Sequence, residues 1–285
     1  MNLLVVTKLP TIERYTDAQL QRLREAGIDR DDELERGRQA HHDSYQHVMA
    51  VLEKRGIAAQ TTRVDDLDSC VSDDLDLVIT VGGDGTVLAA NSLLHGVPVL
   101  AVNSDPERSL GHFTRCHAKG FADLYDGFCA GTAGRESVAR LQVQHGHGQA
   151  LPFLNECLIT NRNPSLMSRY QLTVDGVCEH QASSGIWIST PAGSTGAIAS
   201  AGLQAQPELD DALLFKVREP FQRKQPLRLL EGIQDPPRGL DIITTVPGMG
   251  CYIDGGYHHD LELDIGEHVK VRPSDDPLLL VTAPA

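Results

Sequence analysis

The sequence predicts an α/β domain built on a parallel sheet, followed by an all-β domain of antiparallel strands, and three observations carry that expectation. Up to about residue 140, short apolar runs alternate with helical stretches. Beyond it, period-2 segments separated by Gly, Asn and Pro turns take over. At 285 residues and 41% apolar content, the chain is long enough to bury two medium-sized cores.

In the first half, Leu3 to Thr7 reads as a strand and Thr16 to Arg55 as a long charged helical region. Thr61 to Val64 and Leu77 to Val81 read as strands, Thr86 to Leu94 as a helix, and Val97 to Val102 as another strand. Strands separated by helices need crossover connections, which give a parallel, Rossmann-like sheet. The stretch Asp29 to His42, with Glu and Arg interleaved, reads as a solvated helix or loop. In the second half RLQVQ, FLNECLIT, RYQLTVDG, GIWIST, LDIITTV and HVKVRP alternate as half-buried strands do, so a C-terminal antiparallel β-sandwich is expected. The boundaries expected are 1–138 and 139–285, with room for the extreme C-terminus to return to the first domain.

Charge and cysteine usage narrow the function classes. A net charge of −14 and a pI near 5.2 leave no basic stripe to follow a phosphate backbone, so nucleic acid is not an expected partner. An anionic small molecule would have to be held by local N–H groups and metal instead of by overall field. The cysteines at 70, 116, 129, 157, 178 and 251 show no C-x-x-C spacing, which argues for reduced structural thiols and against a zinc site or disulfide framework. The opening MNLLVVTKLP is too short for a signal-peptide core, and no stretch approaches the ~20 apolar residues that cross a bilayer. No membrane association is expected, and the location expected is cytoplasmic or that of a mature organellar form.

Three motifs carry chemistry. In VITVGGDGTVLAANSLLHG, residues 78–96, a strand runs into Gly82-Gly83-Asp84-Gly85-Thr86 and then a helix. Glycines at a helix start let phosphate oxygens approach the backbone N–H groups. Asp84 cannot serve phosphate affinity, because its charge repels the ligand. It makes sense as a general base on a hydroxyl, or as a contact to a metal or its waters. The plainer alternative is a tight βα turn with Asp84 as N-cap. Neither the G-x-x-x-x-G-K-[ST] loop nor the dinucleotide G-x-G-x-x-G fingerprint is present. In the second motif, Asn155 and Glu156 interrupt an apolar strand, where a polar partner such as a ribose diol or adenine edge would meet them, unless the strand ends there and both are hydrated. In the third, SSGIWISTPAGSTGAIASAG at 183–202 runs from strand to a Thr190–Gly196 loop and a small-residue helix. Its donors suit an anion or ribose, and its small residues equally suit close packing.

GGDGT, a strand Asn-Glu and a TPxGST loop, in this order and spacing, resemble the NAD kinase family over most of the chain. VNSDPERSLGH at 102–112, SSG at 183–185, VREP at 217–220, DGG at 254–256 and KLPTIERY near the N-terminus are similar to its mitochondrial branch and bacterial relatives. The resemblance implies transfer of the ATP γ-phosphate to the adenosine-ribose 2'-hydroxyl of NAD, with NAD and ATP as substrates, Mg²⁺ as cofactor and a homodimer as assembly. It implies Asp84 as base and Gly82, Gly83, Gly85 and Thr86 around the phosphates. Asn155 and Glu156 fall on the NAD-adenosine pair, and Ser184, Thr195, Gly196 and Ser200 lie beside the nucleotide. The chain departs from most bacterial members in having Ser184 for aspartate, Ala197 for tyrosine and His112 for phenylalanine. A lipid kinase of the diacylglycerol or sphingosine type shares GGDGT but would need a lipid pocket, and a non-catalytic nucleotide sensor would not need Asp84. A dehydrogenase lacks its fingerprint.

The remaining conspicuous residues read as ordinary. His41-His42 and His258-His259 lack zinc-ligand spacing and read as surface pairs, so no protein metal site is assigned. Trp187 reads as core. Lys8 follows the first strand, on the edge of the sheet where ligands bind.

Overall fold

A computed structural model describes the chain except for residues 30, 31, 70–74, 92, 93, 147, 149, 222–225, 256–259 and 285. Cys70, His258 and His259 therefore lie outside the described residues. Two compact units are formed, Met1–Ser137 with Leu278–Ala285, and Val138–Pro277.

The first unit begins with β1 (Leu3–Thr7), α1 (Asp17–Glu25) and α2 (Glu33–Lys54). The long charged region is thus two helices. Thr16 starts the first with a capping box, its hydroxyl accepting from Gln19 N–H while the Gln19 side chain takes the Thr16 N–H. Along α2 the buried residues His41, Val48 and Leu52 fall at spacings of seven and four, one helical stripe, and the rest divides about evenly between exposed and half-buried. Then follow β2 (Gln60–Arg63), β3 (Leu77–Gly82), α3 (Asp84–Ala90), β4 (Pro98–Asn103), β5 (Cys116–His117), α4 (Phe121–Cys129) and β6 (Gly134–Val138).

The second unit holds β7 (Leu141–His145), β8 (Leu151–Phe153), β9 (Glu156–Asn161), β10 (Ser168–Val174), β11 (Val177–Ser183) and β12 (Ile186–Ser189). After α5 (Ala197–Ser200) come β13 (Leu213–Val217), β14 (Glu231–Gln234), β15 (Leu240–Thr244), β16 (Met249–Ile253), β17 (Asp260–Leu263) and β18 (His268–Pro273). β19 (Leu278–Thr282) returns to the sheet of the first unit.

That first sheet runs β2-β1-β3-β4-β19-β6, with β5 also on β4, and its β1, β2, β3 and β4 are mutually parallel. Chain order reverses between β1 and β3, because β2 lies on the far side of β1; this is the crevice where open α/β sheets bind ligands. Every residue of β3 is buried, as a central parallel strand requires. In the second unit two antiparallel sheets, β11-β10-β15-β18-β7-β8 and β14-β13-β12-β9-β16-β17, share one core. Tyr170, Leu172, Ile242 and Val269 of one sheet meet Ile159, Ile188, Phe215 and Cys251 of the other, a β-sandwich. The β10–β11 hairpin turns on Asp175-Gly176, both at positive φ, the two-residue turn that Asp-Gly favours.

Candidate active site

In the first unit, Gly83 caps α3 and Asp84 is its first residue, so the alternative of Asp84 as N-cap does not hold. Its carboxylate instead reaches across the chain. Oδ2 accepts the N–H of His112 at 2.7 Å and Oδ1 that of Phe113 at 2.8 Å. Both oxygens are thereby fixed, and each keeps a further lone pair for a hydroxyl or cation. The donating loop is itself held. Asn103 Oδ1 accepts from Asp105 N–H and its amide donates to Ser109 O, while Ser104 N–H donates to Gly82 O at 2.8 Å.

The glycines of the turn divide their work. Gly82 is buried and a Cβ there would overlap the Thr86 hydroxyl, so its bareness serves the internal packing of the turn. Gly83 lies 3.3 Å from Ser109 Oγ as measured from where its Cβ would stand, and Gly85 is exposed. Thr86 is buried. Of the residues expected to meet phosphate, Gly83 and Gly85 are thus the accessible ones.

A cavity of about 680 Å³ in this unit is lined in part by Thr7, Lys8, Arg38, His41, Tyr45 and Arg63. Lys8 donates its N–H to Val81 O, which places the cavity at the strand ends next to the GGDGT turn. Burial holds the Lys8 ammonium below its usual range, opposed by Asp105. His41 is not the surface residue its sequence neighbourhood suggests. It is 5% exposed, and its ring bridges Thr7 Oγ1 at 3.0 Å and Ser104 Oγ at 3.1 Å. Burial, then the charge of Lys8, pushes it down to about 4, so it is neutral at pH 7.

In the second unit, Asn155 and Glu156 do not interrupt one strand. β8 belongs to one sheet of the sandwich and β9 to the other, and Leu154-Asn155 is the corner between them. A corner takes backbone groups out of the ladder, and buried backbone groups need partners. Asp254, just after β16, accepts the N–H groups of Leu154 at 2.9 Å, Asn155 at 2.8 Å and Glu156 at 3.3 Å. On the carbonyl side, Asn155 O accepts from Thr190 N–H and Ser189 Oγ, and the Thr190 hydroxyl donates to Leu154 O. Gly193 packs so closely that a Cβ would overlap the Asn155 backbone.

What this clamp leaves open is polar. The Asn155 amide makes no hydrogen bond among the described residues, and Glu156 Oε2 is buried without a partner. Burial, then the charge of Asp254, pushes the Glu156 carboxyl up to about 7. Gly196 stands beside that carboxyl, at 3.2 Å from its Cβ position to Oε2. Thr195 and Ser200 are exposed near it in the chain. Ser184 is elsewhere. β12 sets Ser189 opposite Glu156 and Ile186 opposite Ile159, so Ser184 lies beyond the other end of the strand, roughly 16 Å along it from Ser189. There Thr160 Oγ1 donates to Ser184 O and Ser184 N–H to Arg218 O. Trp187 is half-buried, with the Arg218 guanidinium 5.8 Å from its ring centre.

Among the described residues no three or more His, Cys, Asp or Glu side chains are grouped to hold a metal. Mg²⁺ usually keeps several waters and is held by one or two carboxylates with substrate phosphates. Asp84, half-buried with its spare lone pairs, is the group of the GGDGT turn that fits such a shared site.

Residues 13–133 match the family model for the ATP-NAD kinase N-terminal domain. A probable NADH kinase of Oryza sativa subsp. japonica is 30% identical over 269 residues, covering 86% of this chain and 82% of that protein. The NADH kinase of Arabidopsis thaliana is 31% identical over 273 residues, 87% and 85% of the two chains. A crystal structure of an NAD kinase from Archaeoglobus fulgidus in complex with ATP shares the fold, with a TM-score of 0.65 at 20% identity over 99% of this chain and 94% of that one. These matches favour neither a lipid kinase nor a nucleotide sensor. Since the likeness runs through both units and includes the turn in which Asp84 is pinned, the chain belongs to the NAD kinase family.

Proposed function

We propose that this enzyme transfers the γ-phosphate of ATP to the 2'-hydroxyl of the adenosine ribose of a nicotinamide adenine dinucleotide, giving the 2'-phosphorylated product and ADP. The observation that carries this reading is the Asp84 carboxylate, fixed by two backbone N–H groups at the ligand-binding end of β3. In the reaction the ribose oxygen bonds to the γ-phosphorus while the bond to the β–γ bridging oxygen breaks, and Asp84 takes the hydroxyl proton. A divalent ion shared with the phosphates would offset the charge of the transferring group. The N–H groups of the first turn of α3 would serve the same task where they are not already bonded, as that of Thr86 is to Gly83 O, and the cavity beside Lys8 offers room for the donor nucleotide.

Asn155 and Glu156 are assigned to the adenosine of the acceptor, with Thr195, Gly196 and Ser200 beside it and Ser184 towards the nicotinamide. The unpartnered amide and carboxyl support this. The reduced dinucleotide is an acceptor to be tested alongside NAD⁺, because both plant relatives are named NADH kinases. A homodimer and a cytoplasmic location accompany the reading; no helix among the described residues is long and apolar enough to cross a membrane.

The test is product formation with purified protein, Mg²⁺, and NAD⁺ or NADH, using ATP in one arm and polyphosphate in another. Absence of 2'-phosphorylated product in every arm overturns the proposal. The acceptor assignment is tested separately by Asn155→Ala, which is expected to raise KM for the dinucleotide at least tenfold and KM for ATP by less than about threefold. Equal rises would move Asn155 out of the acceptor site.

A further inference from the structure

The corner between β8 and β9 cannot hold its shape by sheet pairing. Three successive N–H groups there, Leu154, Asn155 and Glu156, converge on one carboxylate, that of Asp254. Asp254 is 6% exposed and sits at φ 46°, a left-handed conformation uncommon for a residue with a side chain. Its own N–H donates to Glu156 O at 3.0 Å, so the two segments are tied in both directions. A strained, buried carboxylate spent on backbone donors points to a shape worth keeping.

We propose that Asp254 is the positioning residue of the acceptor site, holding the Leu154–Glu156 corner so that the Asn155 amide and Glu156 Oε2 are presented together to the ribose of the dinucleotide. This rests on the function proposed above. Asp254 touches no reacting atom; it acts through Asn155 and Glu156.

Its charge has a second consequence. Beside Glu156 are Ser189, its partner on β12, whose hydroxyl is turned to Asn155 O, Gly196 of the following loop, the Cys157 thiol with its neighbour Cys251, and Asp254, whose charge acts on it. Arg140, whose guanidinium feels Asp254, also pairs with Asp276 at 2.9 Å. The Glu156 carboxyl therefore changes charge near pH 7, and a ligand hydroxyl donating to it favours the ionised form. Dinucleotide binding accordingly tightens as pH rises towards 7 and levels off above it, and binding below that pH releases a proton.

The experiment is calorimetric titration of the intact protein with NAD⁺ alone, without ATP, between pH 5.5 and 8.5, for the native chain, Asp254→Asn and Asp254→Ser. At pH 8.5, where Glu156 is ionised in all three, both variants are expected to bind at least tenfold more weakly, because asparagine turns a donor towards one N–H and serine reaches fewer of them. The midpoint of the pH dependence is expected at lower pH in both, because the charge beside Glu156 is gone. Native-like affinity, an unmoved midpoint, or loss of folding in both variants overturns the proposal; the last would make Asp254 a residue of the fold and not of the site. If the native protein binds NAD⁺ but phosphorylates nothing, the function fails while this positioning role can still be read from the binding curves.

Discussion

The two turns that carry the chemistry, GGDGT in the first unit and Asn155-Glu156 in the second, use the same device to opposite ends. In each, a carboxylate accepts backbone N–H groups from a distant loop. In the GGDGT turn that carboxylate is Asp84, the proposed base, held by His112 and Phe113. In the Asn155-Glu156 corner it is Asp254, which holds the backbone, and the neighbouring carboxyl of Glu156 is left with a buried oxygen that has no partner. One turn fixes its anion with donors, and the other leaves a carboxyl oxygen without any, which in the proposed acceptor site the dinucleotide would supply.

The sharpest break in this comparison comes from Asp84→Asn. The amide keeps the size but loses the base, and one of its two positions becomes a donor facing the N–H of His112 or Phe113. Turnover is expected to fall by about 10²–10⁴, with dinucleotide binding within a few-fold of native. Unchanged turnover would falsify the role of Asp84, and an equal loss of binding would make it a residue of the acceptor site.

Next in size are the opposite pH responses of the two units. His41, pushed down to about 4, has a folded value below its unfolded 6.5. Its contribution is fully present above pH 6.5 and is lost as pH falls through 4, up to about 3 kcal/mol. Glu156, pushed up to about 7, has a folded value above its unfolded 4.5. Its contribution is present below pH 4.5 and is lost as pH rises through 7, again about 3 kcal/mol in the absence of ligand. Going from pH 8 to 5, amide protection factors, taken relative to the intrinsic exchange rate at each pH, should therefore fall in β1 and β4 and rise in β9 and β16. Glu156→Gln should abolish the second trend and leave the first. Parallel trends in both units would remove the contrast.

Much of this was legible in the sequence, and the limit is sequence separation. GGDGT and the period-2 strands are local patterns, so the βα turn and most of the strands could be read directly. The partners could not. His112 and Phe113 reach Asp84 from 28 and 29 residues away through their backbone, which no side-chain motif announces. Asp254 is about a hundred residues from the corner it holds; its DGG stood out in the sequence with no role attached. The corner itself reads as one strand, since FLNECLIT keeps its alternation across a change of sheet. His41 looked solvated because its neighbours on α2 are charged, yet it falls on the same helical stripe as Val48 and Leu52.

A smaller effect sharpens the role of close packing. At Gly193 a Cβ would overlap the backbone of Asn155 at 2.2 Å, whereas at Gly196 it would come no closer than 3.1 Å to Gly193 O and 3.2 Å to the Glu156 carboxyl. Gly193→Ala is expected to cost about 1–3 kcal/mol of stability and to raise KM for the dinucleotide, while Gly196→Ala leaves stability near native. Thermal melts and initial rates separate the two; equal destabilisation would mean that the corner has no special rigidity.

The smallest effect concerns Ser184, which extends the comparison from adenosine to nicotinamide. Most bacterial relatives have an aspartate there by resemblance, and serine removes that anion. If the nicotinamide ring lies towards Ser184, an aspartate would favour the positive ring of NAD⁺ over the neutral ring of NADH. At an effective dielectric near 20 and ~10–15 Å, such a charge contributes about 1 kcal/mol, several-fold in kcat/KM. Arg218 lies across the backbone from Ser184, with its carbonyl accepting the Ser184 N–H at 3.0 Å, and its charge would offset part of that gain. Ser184→Asp is therefore expected to raise the NAD⁺/NADH ratio of kcat/KM modestly, and to raise it further when combined with Arg218→Gln. Steady-state kinetics with both acceptors measure this. A ratio that stays constant in both variants, with normal ATP kinetics, places the nicotinamide away from the β11–β12 corner and confines the acceptor site to the Asn155-Glu156 end of β9.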